Sequence, residues 1–214
     1  MKPRLSTGLA LCLLMVLGAS LAFAFQAPQP FSADMSVTSS NGNVHMNGKA
    51  FFSLPNMRVD MADTGRQNAG PMGGKVSFIV DGAKKVSYML MVEQQMYMEF
   101  PVDQDNPFSQ RMPKFQSFAG DPCSVTQGAT CKKLGTETIN GRSCDKWEMT
   151  QKSGEKQTMW IDQKLHFPIK SVTDKGTTSE FTNIKEGEQD AALFKVPPGY
   201  RKFDASMMGG QRPH

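Results

Sequence analysis

The sequence lacks the residue clusters on which most enzymes and metal proteins depend. Its three histidines are His45, His166 and His214, and none stands at the spacing of a metal site or a catalytic triad. The motifs His-Glu-x-x-His, Gly-x-Ser-x-Gly and Cys-x-x-Cys are absent. Basic runs interleaved with aromatic residues, typical of nucleic-acid binding, are absent as well. We therefore expect a protein that is not an enzyme, uses no cofactor and binds no nucleic acid.

An apolar run at the N-terminus is short, and it is followed by a cleavage signal. Lys2 and Arg4 precede the run 9–17, and Ala22-Phe23-Ala24 follows it as a small-x-small site. The run is too short to span a membrane comfortably, so residues 1–24 are interpreted as a signal peptide. Without Lys2 and Arg4 the chain has 24 − 2 = 22 basic and 20 acidic side chains. We expect a near-neutral protein in the periplasm or outside the cell, cleaved near Ala24.

Cysteine is scarce, with four in 214 residues, and one of these lies in the signal peptide. In an oxidising compartment Cys123, Cys131 and Cys144 would form one disulfide and leave one thiol. The pairing Cys123–Cys131 would staple a loop rich in Pro, Gly and Asp, and we favour it. Cys131–Cys144 and Cys123–Cys144 remain alternatives. If the chain turns at Asn140-Gly141, Cys144 faces Glu137 and does not face Cys131.

Residues 86–100 predict a β-hairpin that is apolar on both faces. A hairpin with one wet face alternates apolar and polar residues. Here one face would carry Tyr88, Leu90 and Val92, and the other Met89 and Met91. With Gln94-Gln95 as the turn, Met91 would lie opposite Met98. Met89 would then lie opposite Phe100. A loop, a helix or a ligand must cover the second face.

Short strand-like runs separated by turn residues make up most of the rest of the chain. They are residues 31–38, 44–54, 57–61, 75–80, 134–139, 143–150, 157–162, 167–173 and 177–184. Asp190 is expected to cap a single helical turn. About ten strands and few helices predict a mainly β fold, with one curved antiparallel sheet or partial barrel over residues 25–203. Residues 204–214 are expected to be a flexible tail.

The segment 102–133 lacks the periodic pattern of strands seen in the rest of the chain. Between Pro107 and Phe118 four apolar residues have near-helical spacing, and they would form a greasy face: Phe108, Met112, Phe115 and Phe118. Loops of this length are often functional, so the segment is a candidate lid over the sheet.

Methionine is abundant, with 16 − 2 = 14 left after removal of Met1 and Met15. Methionine is a flexible filler suited to a core or to an adaptable lipid cavity. It is also a soft donor for Cu(I), and the candidate ligands are Met89, Met91, Met96, Met98 and His45. A third interpretation is an envelope sensor or protein-interaction module.

Several stretches, in this order, resemble one known superfamily. They are Gly48–Asp60 with its strand–Pro–strand corner, Val80–Gly82 with Val86–Met89, Trp160–Asp162, Phe167–Lys170, Asn183–Lys185, and Leu193-Phe-Lys-Val-Pro-Pro-Gly-Tyr200. Together they resemble the LolA/LolB-like outer-membrane lipoprotein carriers, and among these an exported bacterial family of unknown function (DUF4412-type). The resemblance implies an incomplete barrel of about eleven antiparallel strands with short α-helical plugs. Its cavity would receive acyl chains. Carriers have an arginine immediately before the corner proline, where this chain has Leu54.

We therefore expect a non-enzymatic periplasmic protein that binds or carries a lipid-like ligand in the concave cavity of a half-barrel. The candidate lining residues are Tyr88, Met89, Leu90, Met91, Met98, Phe100, Trp147 and Trp160. The expected partner is a lipid or a lipid-modified protein, with peripheral contact to the envelope membrane. The chain is expected to be a monomer.

Overall fold

A computed structural model describes residues 29–40, 45–61, 74–102, 121–126 and 128–203. The described chain contains twelve strands and two short 3-10 helices. The strands are β1 (Phe31–Thr38), β2 (His45–Ser53), β3 (Asn56–Met61), β4 (Val76–Asp81), β5 (Val86–Met91), β6 (Met96–Pro101), β7 (Thr130–Ile139), β8 (Arg142–Thr150), β9 (Lys156–Asp162), β10 (Phe167–Thr173), β11 (Thr178–Glu186) and β12 (Arg201–Lys202). The 3-10 helices are Pro122–Val125 and Ala191–Phe194. None of the helices in this part of the chain has the length and apolar character to cross a membrane.

The strands form one curved, unclosed sheet in the order β12-β6-β5-β4-β3-β2-β1-β11-β10-β9-β8-β7. Neighbours are antiparallel, except that β12 runs parallel to β6. β1 lies inside the sheet between β2 and β11, so it joins the early strands to the late ones. The mainly β fold and the curved sheet are confirmed. The sheet is mixed, with twelve strands where about eleven antiparallel strands were expected, because the two residues of β12 add a parallel edge.

Ring contacts between distant strands show how strongly the sheet curves. In a flat sheet, strands three places apart lie about 14 Å from each other. Phe52 on β2 and Phe167 on β10 are three places apart, yet their ring centroids are 4.7 Å from each other. Phe31 and Phe181, on the strands between them, join the same stack. Four buried phenylalanine rings therefore fill the bend of the sheet.

Strand register defines two faces. The inner face is the concave one, which holds the phenylalanine stack, and it carries Phe31, Phe52 and Met35. Cross-strand partners of Met35 extend this face from β1 to β6: Gly48, Met61, Val76, Met91 and Met96. The outer face of the same strands carries Phe51, Ile79 and Leu90. Both faces are apolar in this half of the sheet, so both need a cover.

The 3-10 helix Ala191–Phe194 covers the outer face. Its N-cap is Asp190, whose side chain accepts from the backbone N–H of Ala192, as the sequence predicted. Phe194 is 6% exposed and packs with Ile79 and Leu90. This segment therefore closes the outer face with the chain's own side chains.

The β5–β6 turn differs from the prediction. Gln94-Gln95 is not a two-residue turn; the loop is 92–95, and Met91 pairs with Met96 and Met89 with Met98. Phe100 pairs with Ser87. A two-residue hairpin turn of type I′ needs positive φ at both central residues, whereas here only Gln95 takes it, at 50°. The Asn140-Gly141 turn does have both, at 51° and 76°, as predicted.

The disulfide Cys123–Cys131 is confirmed and ties the first 3-10 helix to β7. Cys144 is a buried free thiol opposite Glu137. Phe108, Met112, Phe115 and Phe118 of the candidate lid, like the signal peptide and the tail, lie outside the described residues.

Candidate functional site

The inner face of the β5–β6 hairpin carries a methionine cluster. Met89, Met91 and Met98 are 7%, 4% and 9% exposed and pack together. Partly buried apolar residues surround them: Val76, Phe78, Met96, Phe100 and Phe203. The register makes two cross-strand methionine pairs, Met89–Met98 and Met91–Met96, so all four hairpin methionines share this face. Of the eight predicted lining residues, Met89, Met91, Met98 and Phe100 are brought together here.

Tyr88 and Leu90 lie on the other face of the same hairpin. They pack with Ile79 and Phe194 beneath the second 3-10 helix. Tyr88 makes an edge contact with Tyr97, with ring centroids 6.0 Å apart. The structure therefore separates these two predicted lining residues from the methionines and places them in the outer-face core.

Trp147 and Trp160 also lie on opposite faces. Trp147 pairs with Met159, and consecutive residues of a strand point to opposite sides, so Trp160 points away from Trp147. Residues paired across neighbouring strands share a face. The row of such partners runs from Met159 to Ser171, then to Ser179, and ends at Val37, which lies on the inner face. Through this row Trp147 lies on the face of Val37. Trp160 is 8% exposed and belongs to the buried cluster of Phe31, Phe52 and Phe167, and the bulge between Pro168 and Lys170 separates the two rows.

Trp160 is held in a polar cluster. Its indole N–H donates to Glu137 at 2.7 Å, and the ammonium groups of Lys146 and Lys170 lie 5.1 and 5.7 Å from its ring centroid. The hydrogen bond from Lys146, followed by the one from Trp160, lowers the pKa of Glu137. The indole N–H and the carboxylate of this cluster are both satisfied, which is typical of a structural role.

Sequence reasoning missed three buried residues on the same face as Trp147. Met149, Met159 and Ile161 are 6%, 3% and 4% exposed. Met159 pairs with Trp147, and Ile161 pairs with Asp145 one step along the same face. The alternation Trp147–Met149 was visible in the sequence, but the offset between β8 and β9 depends on the loop 151–155.

A neutral ion pair flanks Trp147. Lys133 Nζ donates to Asp145 at 2.7 Å and lies 5.9 Å from the Trp147 ring centroid. The hydrogen bond from Lys133 is the main reason why the pKa of Asp145 is lowered, and Gln163 adds to it. Asp145 therefore stays ionised at neutral pH and offsets the charge of Lys133.

The described residues hold little reactive chemistry. Burial raises the pKa of the Cys144 thiol to about 11, so it is protonated and inert at neutral pH. Within the described ranges, Asp121, Cys123 and Cys131 are the one close group of three potential metal ligands, and both cysteines are consumed by the disulfide. For the Cu(I) alternative the four methionines share one face, while the side chain of His45 is outside the description.

Leu54, at the position of the carriers' arginine, lies in the turn between β2 and β3. The nearest arginine in sequence, Arg58, has another role. Its Nε lies 2.6 Å from Asp60 Oδ1, and its Nη1 donates to the carbonyl of Leu193 at 3.2 Å. Arg58 therefore fastens the outer-face helix to β3.

Comparison with known proteins identifies the family. Residues 31–166, more than half of the chain, match the family described as Domain of unknown function (DUF4412). No curated protein matches the sequence. An uncharacterized conserved protein from Thermus thermophilus has a similar structure, with a TM-score of 0.52 and 12% identity over 82% of this chain and 90% of that one.

Two further solved structures are more distant. The MucA/MucB complex of Pseudomonas aeruginosa gives a TM-score of 0.48 and 13% identity, over 77% of this chain and 55% of that one. A LolA superfamily protein, NE2245 from Nitrosomonas europaea, gives 0.37 and 11%, over 79% and 91%. At such identities the likeness to the Thermus protein is one of fold alone. On the strength of the family match, the chain belongs to the DUF4412 family.

Proposed function

We propose that this protein is an exported, non-enzymatic protein that binds or carries a lipid-like ligand against the inner face of its sheet. The observation that carries the proposal is the two-sided hairpin β5–β6. Its outer face packs against Phe194, and its inner face carries a separate buried cluster of Met89, Met91 and Met98. An inner face lined by flexible thioethers suits a ligand of variable shape.

The extent of the inner face supports the same proposal. Apolar side chains continue from the methionine cluster through Val59 and Met35 to Phe181 on β11. A run of apolar side chains across so many strands offers a long contact for a hydrocarbon chain. Each buried methylene of such a chain contributes about 0.8 kcal/mol of binding free energy.

Export is part of the proposal and rests on the N-terminal sequence. The run 9–17 and the small-x-small site at Ala22–Ala24 direct the chain to the periplasm or beyond. The disulfide Cys123–Cys131 fits an oxidising compartment. We propose that the partners are a lipid or a lipid-modified protein, met at the envelope membrane by a monomer.

Native mass spectrometry tests the proposal. Protein secreted to the periplasm and purified without detergent is expected to carry a co-purified lipid. After extraction with solvent it is expected to take up decanoate or monodecanoylglycerol. Protein that is free of ligand and takes up neither probe would contradict the proposal.

Two neighbouring residues of β6 give matched variants. Met98→Trp fills the inner face and is expected to reduce uptake at least tenfold. Tyr97→Trp adds bulk to the outer face and is expected to leave uptake unchanged. Circular dichroism checks that both variants are folded, since overpacking costs about 1–3 kcal/mol of stability. Equal uptake by the two variants would place the ligand elsewhere.

A second function, Cu(I) binding, is favoured by one observation. The register sets two methionine pairs on one face, Met89–Met98 and Met91–Met96, and thioethers are soft ligands. A competition titration with a Cu(I) chelator compares the wild type with the variant in which all four methionines are leucine. A fall in affinity of at least tenfold is expected if copper is the cargo. Unchanged affinity removes this alternative.

A further inference from the structure

The indole N–H of Trp147 is buried and meets no acceptor among the described residues. Buried indole N–H groups normally have a partner, and one without a partner costs about 1–3 kcal/mol. Trp160, one strand away, gives the matched case, since its N–H donates to Glu137 at 2.7 Å. The indole N–H of Trp147 is therefore a donor without an acceptor in the described part of the chain, where a tryptophan with a purely structural role would be hydrogen-bonded.

Three apolar side chains lie beside this tryptophan. Met159 faces Trp147 across the strands, and Met149 and Ile161 flank this pair on the same face of β8 and β9. These three side chains are at most 6% exposed, whereas Trp147 itself is half-buried. Binding sites for small molecules are mostly apolar, with a few polar groups that fix orientation. One donor beside three apolar side chains fits that description.

The charged side chains near Trp147 indicate which kind of ligand group can accept from its N–H. Lys133 and Asp145 are bonded at 2.7 Å and together carry no net charge. Thr136 and Gln163 also donate to the same carboxylate, at 3.3 and 2.7 Å. A ligand carboxylate would be repelled by the negative charge of Asp145, because Lys133 is already paired with Asp145. An uncharged carbonyl oxygen is not repelled in this way.

We propose that Trp147 anchors the polar end of the ligand, its N–H donating to the carbonyl oxygen of an ester- or amide-linked acyl chain. The hydrocarbon then lies along Met149, Met159 and Ile161. This inference rests on the proposed function and adds the ligand class and the residue that selects it. Trp147 is a specificity residue, while Trp160 is structural.

Because the chain has two tryptophans, nuclear magnetic resonance can follow both donors at once. Protein labelled with 15N gives two indole N–H signals, which Trp147→Phe and Trp160→Phe assign. On addition of monodecanoylglycerol, the Trp147 signal is expected to move downfield as its hydrogen bond forms. The Trp160 signal is expected to stay in place.

Titration of three probes completes the test. They are monodecanoylglycerol, decanoate and decyltrimethylammonium, which has the chain but no acceptor. Trp147→Phe is expected to weaken binding of the ester roughly 3- to 10-fold, the worth of one hydrogen bond, and to leave decyltrimethylammonium unchanged. Trp160→Phe is expected to bind all three as the wild type does.

The outcomes separate the two proposals. If the wild type binds none of the probes, the lipid-binding function itself fails. If it binds them but Trp147→Phe weakens all three equally, or none, the anchor is overturned and the function stands. If decanoate binds as tightly as the ester and is equally sensitive to Trp147→Phe, the choice of a neutral carbonyl is wrong.

Discussion

The sector β3–β6 and the sector β7–β10 are stabilised in different ways. In β3–β6 both faces are apolar, and Phe194 closes the outer one. In β7–β10 one buried carboxylate organises the structure: Asp162 is 1% exposed, pairs with Arg142, and accepts from the backbone N–H groups of Lys164 and Leu165 at 2.8 Å each. Packing tolerates changes that keep volume and polarity, whereas a polar network tolerates few changes of charge. The proposed ligand face crosses both sectors, so it can be altered in the first with less risk to folding.

The largest expected effect comes from removing the outer cover of β3–β6. Phe194→Ala deletes a buried ring over Ile79 and Leu90 and is expected to lower the free energy of unfolding by about 3–5 kcal/mol. Urea unfolding measures it. The exposed neighbour Lys195→Ala is the control and is expected to stay within about 0.5 kcal/mol of the wild type. A loss below about 1 kcal/mol for Phe194→Ala would show that the helix does not belong to the core.

The next effect is a change of charge in β7–β10. Asp162→Asn keeps the shape but leaves Arg142 with Glu186 as its remaining partner. We expect a loss of roughly 2–4 kcal/mol in the same urea assay. Glu188→Gln, at an exposed position, serves as the control. Equal stability of the two variants would mean that the network does not stabilise this sector.

Part of this contrast was predictable from the sequence. The alternation of Met89 and Leu90 predicted two apolar faces, and Asp190 predicted the capped turn that covers one of them. The hairpin register was not predictable, because Gln94 and Gln95 give no signal that separates a two-residue turn from a four-residue one. The opposite orientations of Trp147 and Trp160 depend on the pairing register of β8 and β9, which no local sequence pattern indicates.

Acid is expected to have a smaller effect, through Glu186 of β11, which pairs with Arg142 of the second sector. Lys164, followed by Arg142, lowers the pKa of Glu186. A carboxyl whose pKa is lower in the folded state stabilises the fold above its unfolded value, 4.5 for Glu, and loses that contribution as pH falls through the folded value. Stability is therefore expected to decline below about pH 4.5, measured by urea unfolding across a pH series. The decline in stability with falling pH should be shallower in Glu186→Gln than in the wild type, and as steep in Phe194→Ala as in the wild type. An equal slope in all three proteins would contradict the role of Glu186.

The smallest expected effect is a volume-conserving change on the ligand face. Met91→Leu keeps an apolar side chain of similar size and is expected to cost less than about 1.5 kcal/mol by thermal unfolding. If it costs more than Asp162→Asn, the inner face is a tightly packed core and is not adaptable. In that case the two sectors would be equally intolerant.

The central place of β1 sets the order in which the sheet can be completed. Phe31 pairs with Phe52 on one side and with Glu186 on the other, so its second edge waits for residues 178–186. Contacts between such distant positions make folding slow, because a long loop must close before they form. The two halves of the sheet can join only once nearly all of the chain is available. A chain that crosses a membrane unfolded gains from this delay, since its early strands cannot complete the sheet before the late strands arrive.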